Sequence, residues 1–308
     1  MIYKLGFIIV ICTLWSIWPL FGFRKDLQII FCDVGQGDAT LIQLGTFQLL
    51  VDGGSPNDKV LECLGRYVPF ADRTIELVIA THQDSDHIGG LNSVFTNYHV
   101  SELVWNGEEK QTADFLTFSQ AVQREQDSGM RVSIVTHTGE IHIGSNLVAT
   151  YLFPRVARFS NATQKSDKCE THLQDITDTN IMTDISSNDG SILLFARYKQ
   201  VTLLLMGDLE TTGELTLSCL GLLEPMTIVK VGHHGSKSSS SMEFVSQTQP
   251  EYAVISVGKN NRFGHPSPEV VSRYDLFKSV LLRTDLMGSI ELLSDGGRVW
   301  REKSLFDI

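Results

Sequence analysis

Four side chains able to hold a metal fall within six residues of this sequence: His82, Asp84, Asp86 and His87, in the run His82-Gln83-Asp84-Ser85-Asp86-His87. Imidazole and carboxylate in one donor set suit zinc, manganese or iron, whereas magnesium and calcium favour oxygen alone. A solvated turn that caps the next helix through Asp84 or Asp86 would account for one acid. It does not account for two acids and two histidines in so tight a loop.

Further along, Asp208 ends the apolar run VTLLLMG. An unpaired charge at the end of a buried strand is costly, so a metal or a helix cap must compensate it. His233 and His234 follow TIVKVG, and His265 sits in FGHPSPE. Histidine titrates near neutral pH, so either member of the pair suits a phosphate contact or a general acid; a satisfied core histidine is the alternative. Asp38 in GQGDA and Asp52 in VDGG follow predicted strands. Turn chemistry alone explains Asp and Gly there, and Asp38 is assigned to hold a ligand histidine in one tautomer.

The elements that must position these groups are legible as runs. LQIIFCDV, DATLIQL and TFQLLVD, broken at Gly35-Gln36-Gly37 and Gly45, predict an antiparallel meander. Val60 to Phe70 reads as a helix, and the unbroken run Ile75 to Thr81 as a strand buried on both faces that delivers His82 at its end. ELVWNG, RVSIVT, EIHIG, LVATYLF, a hairpin of SILLFARY with QVTLLLMGD, MTIVKVG, YAVISVG and three short final runs predict further strands. Helices are expected over Asp114 to Ser128, after Asp208, from Met242 and from Pro268. The polar stretch Ser160 to Asp189 reads as a long surface insertion. Two similar successions of strands and helices predict a layered α/β protein with two sheets between helices.

In their order, THQDSDHIGG, DVGQGDA, VDGG, LLLMGDLE, VKVGHHGSKSS and NNRFGHPSPEVV resemble the metallo-beta-lactamase superfamily, and within it the soluble domain of the ComEC/Rec2 competence proteins. That resemblance implies a four-layer αββα fold and two divalent ions, zinc or manganese. It implies that His82 and Asp84 bind the first metal, Asp86 and His87 the second, that Asp208 bridges them, and that His265 completes the second site. Asp84 stands where many members have a second histidine, and no further histidine has the context of a first-metal ligand, so Asn188 is the substitute candidate there. Asp86, His233 and His234 are the expected catalytic residues. Lys230, Lys237, Lys259 and Arg262 are expected to form an anion-binding rim, or else to be solvated lysines and arginine. The implied reaction is hydrolysis of a phosphodiester in DNA during uptake, through a water acidified between the metals. A small ester, lactam or nucleotide hydrolase, and a non-catalytic DNA-binding assembly module, are the alternatives.

Composition bounds this reading. Apolar and charged shares of 42% and 20% suit a packed globule rather than a disordered chain. A formal net charge of −11 excludes DNA binding through a broad basic surface and leaves any attraction to local cations. The five cysteines form no CxxC pair or even framework, so Cys12 and Cys32 are read as small hydrophobes. The nineteen uncharged residues from Leu5 to Phe23, flanked by Lys4 and by Arg24-Lys25, are long enough to cross a bilayer of about 30 Å. Residues 1–25 are therefore expected to be a membrane anchor or uncleaved signal, and residues 26–308 one hydrolase domain on the extracytoplasmic side, secreted if the segment is cleaved. With one such segment, the chain is expected to be a free-standing relative of the channel proteins or the partner of a membrane channel.

Overall fold

The structure is a computed structural model that describes residues 25–135, 137–152, 169 and 187–302. The apolar segment Leu5 to Phe23 and most of the polar stretch Ser160 to Asp189 lie outside the described residues.

The first half of the chain supplies β1 (Leu27–Phe31), β2 (Thr40–Leu44), β3 (Phe47–Val51), β4 (Thr74–Ile75), β5 (Leu77–Ala80), β6 (His99–Val100), β7 (Glu102–Trp105) and β8 (Arg131–Ile134), with helices α1 (Lys59–Tyr67), α2 (Ser85–Ile88), α3 (Leu91–Asn97) and α4 (Ala113–Asp127). The second half supplies β9 (Gly139–Ile143), β10 (Leu147–Leu152), β11 (Leu193–Tyr198), β12 (Val201–Leu205), β13 (Ile228–Lys230), β14 (Tyr252–Ile255), β15 (Val280–Arg283), β16 (Ile290–Ser294) and β17 (Val299–Arg301). Its helices are α5 (Thr211–Cys219), α6 (Met242–Thr248), α7 (Pro268–Leu276) and α8 (Thr284–Met287).

Two large sheets result, in the orders β17-β16-β1-β2-β3-β5-β7-β8 and β15-β14-β13-β12-β11-β10-β9, with a small parallel pair β4-β6. In each, an antiparallel meander passes into parallel strands: β3, β5, β7 and β8 in the first, β12 to β15 in the second. Strand alternation explains why the apolar runs are unbroken. In β5, Leu77 and Ile79 join Leu203, Leu205 and Ile228 of the other sheet in the central core. Val78 and Ala80 face the opposite way, against Val60, Leu64, Leu91 and Val94 of the helices. The outer face of the second sheet buries Leu204, Val229 and Ala253 under Leu217, Phe244, Val270 and Tyr274. The layers are thus helix, sheet, sheet, helix, the predicted αββα arrangement.

One expectation fails. Cys32 is not a free thiol: it is disulfide-bonded to Cys63, tying the end of β1 to α1, and Cys169 is bonded to Cys219 at the end of α5. The two pairs are 31 and 50 residues apart in sequence, so neither shows as a short-range motif. The fold alone makes them neighbours.

Candidate metal centre

The C-terminal ends of the central strands of both sheets converge, and the polar residues follow directly on those ends. Asp52 follows β3, Thr81 and His82 follow β5, Asp208 lies past β12, His233 and His234 past β13, and Ser256 follows β14. Strand carboxyl ends are where open α/β sheets place ligands, because the chain leaves the sheet there with backbone still rigid and side chains freed.

Donor atoms of His82, His87 and Asp208 lie within 4.8 Å of one another, as do those of Asp86, His87 and His234, and those of Asp38, Asp208 and His234. His87 Nε2 is 3.2 Å from Asp208 Oδ1, and His234 Nε2 is 3.2 Å from Asp86 Oδ2 and 3.6 Å from Asp208 Oδ2. All but Asp86 are buried. Burial alone would push the Asp208 carboxyl up, but the neighbouring His234 and His87 outweigh it and hold it well below the carboxylate range. Burial likewise opposes charge on His234, yet Asp208 and Asp38 raise it to about 10. Burial and the His87 charge take His82 down to about 4, so its imidazole is neutral and free to donate a lone pair.

A second layer fixes these rings. Asp52 accepts from His87 Nδ1 at 2.8 Å and from the backbone N–H and hydroxyl of Thr81 at 2.8 and 2.7 Å. A carboxylate behind a ligand histidine sets its tautomer and orientation, so Nε2 of His87 is left facing Asp208. His234 Nδ1 donates to Ser256 O at 2.9 Å, which turns its Nε2 inward. For His87 the tautomer-setting role is taken by Asp52, while Asp38, expected to hold a ligand histidine, has Oδ1 3.4 Å from His234 Nδ1. The other oxygen of Asp38 is ion-paired with Lys230, whose ammonium also donates to Gly207 O at 3.1 Å. Lys230 is only 1% exposed. It is no part of a substrate rim: it points from β13 into the space between the sheets, on the same face as Ile228, where a partner carboxylate is obligatory. Lys237, Lys259 and Arg262 are exposed.

Gly37 shows why the DVGQGDA loop carries glycine. Its φ is +124° and a Cβ there would collide with Asp86 O, the atom that also accepts from Asp38 N–H at 3.0 Å. Close backbone approach of this kind admits glycine alone.

Two expected ligands stand apart from these groups. The carboxylate of Asp84 is held by the Lys110 ammonium, 33% and 28% exposed respectively, because Asp84 precedes α2 and its side chain turns outward. His265 lies beside His233, ring centroids 5.7 Å apart, and the inner position is filled by His234. Asn188 approaches His233 Nδ1 at 3.4 Å. His233, a quarter exposed, has Nδ1 3.0 Å from Glu210 Oε1 and Nε2 3.9 Å from Asp208 Oδ2. His233 and His234 both sit at positive φ, 46° and 52°, conformations that non-glycine residues hold only where surrounding structure enforces them. Thr81, Ser191, whose hydroxyl receives Asp208 N–H at 3.1 Å, Glu210 and Lys110 were not singled out in the sequence. Thr81 carries a signal there in its adjacency to His82, and Glu210 in closing the motif LLLMGDLE that holds Asp208.

Nε2 of His82, His87 and His234 and Oδ1 of Asp208 are buried and make no hydrogen bond of acceptable geometry. Orphaned buried donors and acceptors are rare and demand an explanation. These nitrogens and oxygens, gathered around Asp208 in overlapping groups, form a donor set that fits divalent cations able to displace the ring protons.

The metallo-beta-lactamase superfamily model matches residues 32–259. The chain belongs to the metallo-beta-lactamase superfamily. Among curated proteins it is similar to ComE operon protein 3 of Bacillus subtilis, 27% identical with 89% of this chain and 34% of that protein covered. It is similar too to Recombination protein 2 of Haemophilus influenzae, 26% identical with 87% and 29% covered, and to competence protein ComA of Neisseria gonorrhoeae, 27% identical with 92% and 36% covered. These matches bear out the resemblance to competence proteins, although the chain spans only about a third of their length. The solved metallo-beta-lactamase fold protein YhfI of Bacillus subtilis superposes with a TM-score of 0.51, 12% identity and 90% of this chain and all of that one covered, which bears on the fold alone.

Proposed function

We propose that this superfamily member is a dinuclear metal-dependent phosphodiesterase that cleaves DNA in the context of DNA uptake. The observation that carries the reading is the convergence of the orphaned Nε2 atoms of His82, His87 and His234 on Asp208 at the joined strand ends. Asp86, His87, His234 and Asp208 would hold one ion. Asp208 and His82 would hold the other, with Asp84 available if Lys110 releases it. Zinc or manganese matches this mixed donor set. Divalent ions bound there would polarise a phosphoryl oxygen and an attacking water.

The chain's own side chains supply the rest. His234 is buried within the ligand group, so the leaving-group proton falls to His233, which is partly exposed and backed by Glu210. Glu210, held below the usual carboxylate range first by its hydrogen bond with His233, remains an anion and keeps that imidazole oriented. With a net charge of −11, phosphate must be drawn by the centre and by the exposed Lys237, Lys259 and Arg262 rather than by the surface at large. The likeness to competence proteins supports DNA as substrate, and a membrane channel as partner belongs to the same proposal. The two disulfides support a domain that works in an oxidising, extracytoplasmic compartment, tethered by the apolar segment Leu5 to Phe23.

The test is incubation of the purified chain and its Asp208→Ala and His87→Ala variants with end-labelled single-stranded and duplex DNA, in manganese or zinc. Cleavage by the wild type that falls by about 10³-fold or more in both variants is expected, since both residues belong to one cooperating unit. Wild-type protein that binds two ions yet cleaves neither DNA would replace this reading with a hydrolase of a small ester or nucleotide.

A further inference from the structure

His265, left out of the ligand groups, forms something else. Its ring is stacked against that of Phe263, with centroids 5.8 Å apart and planes at 15°. It also meets His233 edge-on at 5.7 Å, and His233 Nε2 is in turn 3.9 Å from Asp208. Phe263 is nevertheless 60% exposed. Single exposed apolar side chains are ordinary on a protein surface, and Phe70, at 87%, is one. Phe263 differs in being presented by a loop that cannot let it collapse. Asn261 clamps that loop from within: its Nδ2 donates to Gly258 O at 3.0 Å and to His265 O at 2.9 Å, and its Oδ1 accepts from His265 N at 3.0 Å. Ser267 N donates to Gly235 O at 2.8 Å, fastening the loop to the turn that bears His233 and His234. At Gly235 a Cβ would meet Pro266 Cβ at 2.6 Å, so turn and loop are packed without slack. The Arg262 guanidinium stands 6.0 Å from the centre of the Phe263 ring.

A rigid, exposed aromatic face with a cation beside it, two ring-to-ring steps from the metal centre, has the makings of a stacking platform. We propose that Phe263, backed by His265, stacks an unpaired nucleobase next to the phosphate being cleaved, with Arg262 meeting the adjoining phosphate. The proposal rests on the phosphodiesterase reading and narrows it: a base can lie on this shelf only when it is free of its partner strand. The substrate class is single-stranded nucleic acid or frayed duplex ends.

The 308-residue chain with manganese is compared with Phe263→Ala and Phe263→Trp. Binding is read by anisotropy of a labelled phosphorothioate oligothymidylate, its abasic counterpart and a duplex of equal length. KM and kcat are read on the cleavable oligothymidylate. Stacking on one aromatic is worth about 1–3 kcal/mol per base, so Phe263→Ala is expected to weaken binding and raise KM by about tenfold. The variant should leave kcat nearly unchanged, Phe263→Trp should restore affinity, and the abasic oligomer should bind wild type and Phe263→Ala alike. Equal affinity of wild type and Phe263→Ala for oligothymidylate, or equal loss on the abasic oligomer, overturns the shelf and leaves the hydrolase reading intact. Binding that shows the Phe263 dependence without any cleavage keeps the shelf and overturns the hydrolase reading. An oligomer that binds neither protein overturns both.

Discussion

The loop after β5 and the turn after β13 deliver their side chains to one centre by different means. The first packs His82, Asp86 and His87 into six residues and takes its geometry from a regular local structure, the start of α2. The second half contributes Asp208 and His234 from two separate strands, and their meeting is set by sheet register: Leu205 pairs with Lys230 in parallel, so Asp208 and His233 each stand three residues past paired positions. Local geometry needs no strain, whereas the turn after β13 holds two consecutive histidines at positive φ. A dispersed half-site must be braced by its surroundings, and here the brace is Lys230 of the second sheet paired with Asp38 of the first half.

Removing the brace should have the largest effect. Lys230→Met leaves the buried Asp38 carboxylate without its cation, and breaking one side of a buried pair costs about 3–5 kcal/mol. Thermal unfolding should fall by about 10 °C, and the double variant Asp38→Asn with Lys230→Met should recover most of it. A single variant as stable as wild type would mean that the halves are not joined there.

The histidines sharpen the comparison next. His234→Ala should lower metal affinity by about tenfold or more, as loss of even a supporting residue does, while His265→Ala should keep bound metal and lose affinity for oligonucleotide. Elemental analysis after dialysis separates the two, and metal lost from His265→Ala but retained in His234→Ala would reverse the assignment.

The smallest effect concerns Glu214 on α5, whose carboxylate accepts from Ser240 N at 2.5 Å and Ser241 N at 2.7 Å just beyond the strained turn. Burial raises its pKa above 4.5 despite those bonds. The folded state therefore holds the proton more tightly than the unfolded chain, so its contribution to stability is present at low pH and is lost as pH rises through the raised value. Glu214→Gln, which mimics the protonated form, should flatten this decline by about 2–4 °C of unfolding temperature. A pH profile parallel to wild type's would show that the proton is not held there.

Much of this was legible in residue order because period and punctuation are local. The run Ile75 to Thr81 reads as a doubly buried strand, of which Leu77–Ala80 forms β5 while Ile75 belongs to the separate β4-β6 pair, and the αββα layering follows from two such successions. Lys230 was misplaced because lysine is ordinarily a surface residue, and nothing in IVKVG shows that Asp38, 192 residues away, waits to receive it. The disulfide partners of Cys32 and Cys169 were hidden by separation for the same reason.

The sequence by itself determined the strand and helix runs, the loop of candidate metal ligands after β5 and the superfamily signature, since each depends on neighbours a few residues apart. Only the tertiary structure decided that His234 rather than His265 faces Asp208, that Asp52 rather than Asp38 orients His87, and that Lys230 is buried. Those choices turn on which side of a strand end a residue leaves and what the opposite sheet presents to it, and both are set by long-range register.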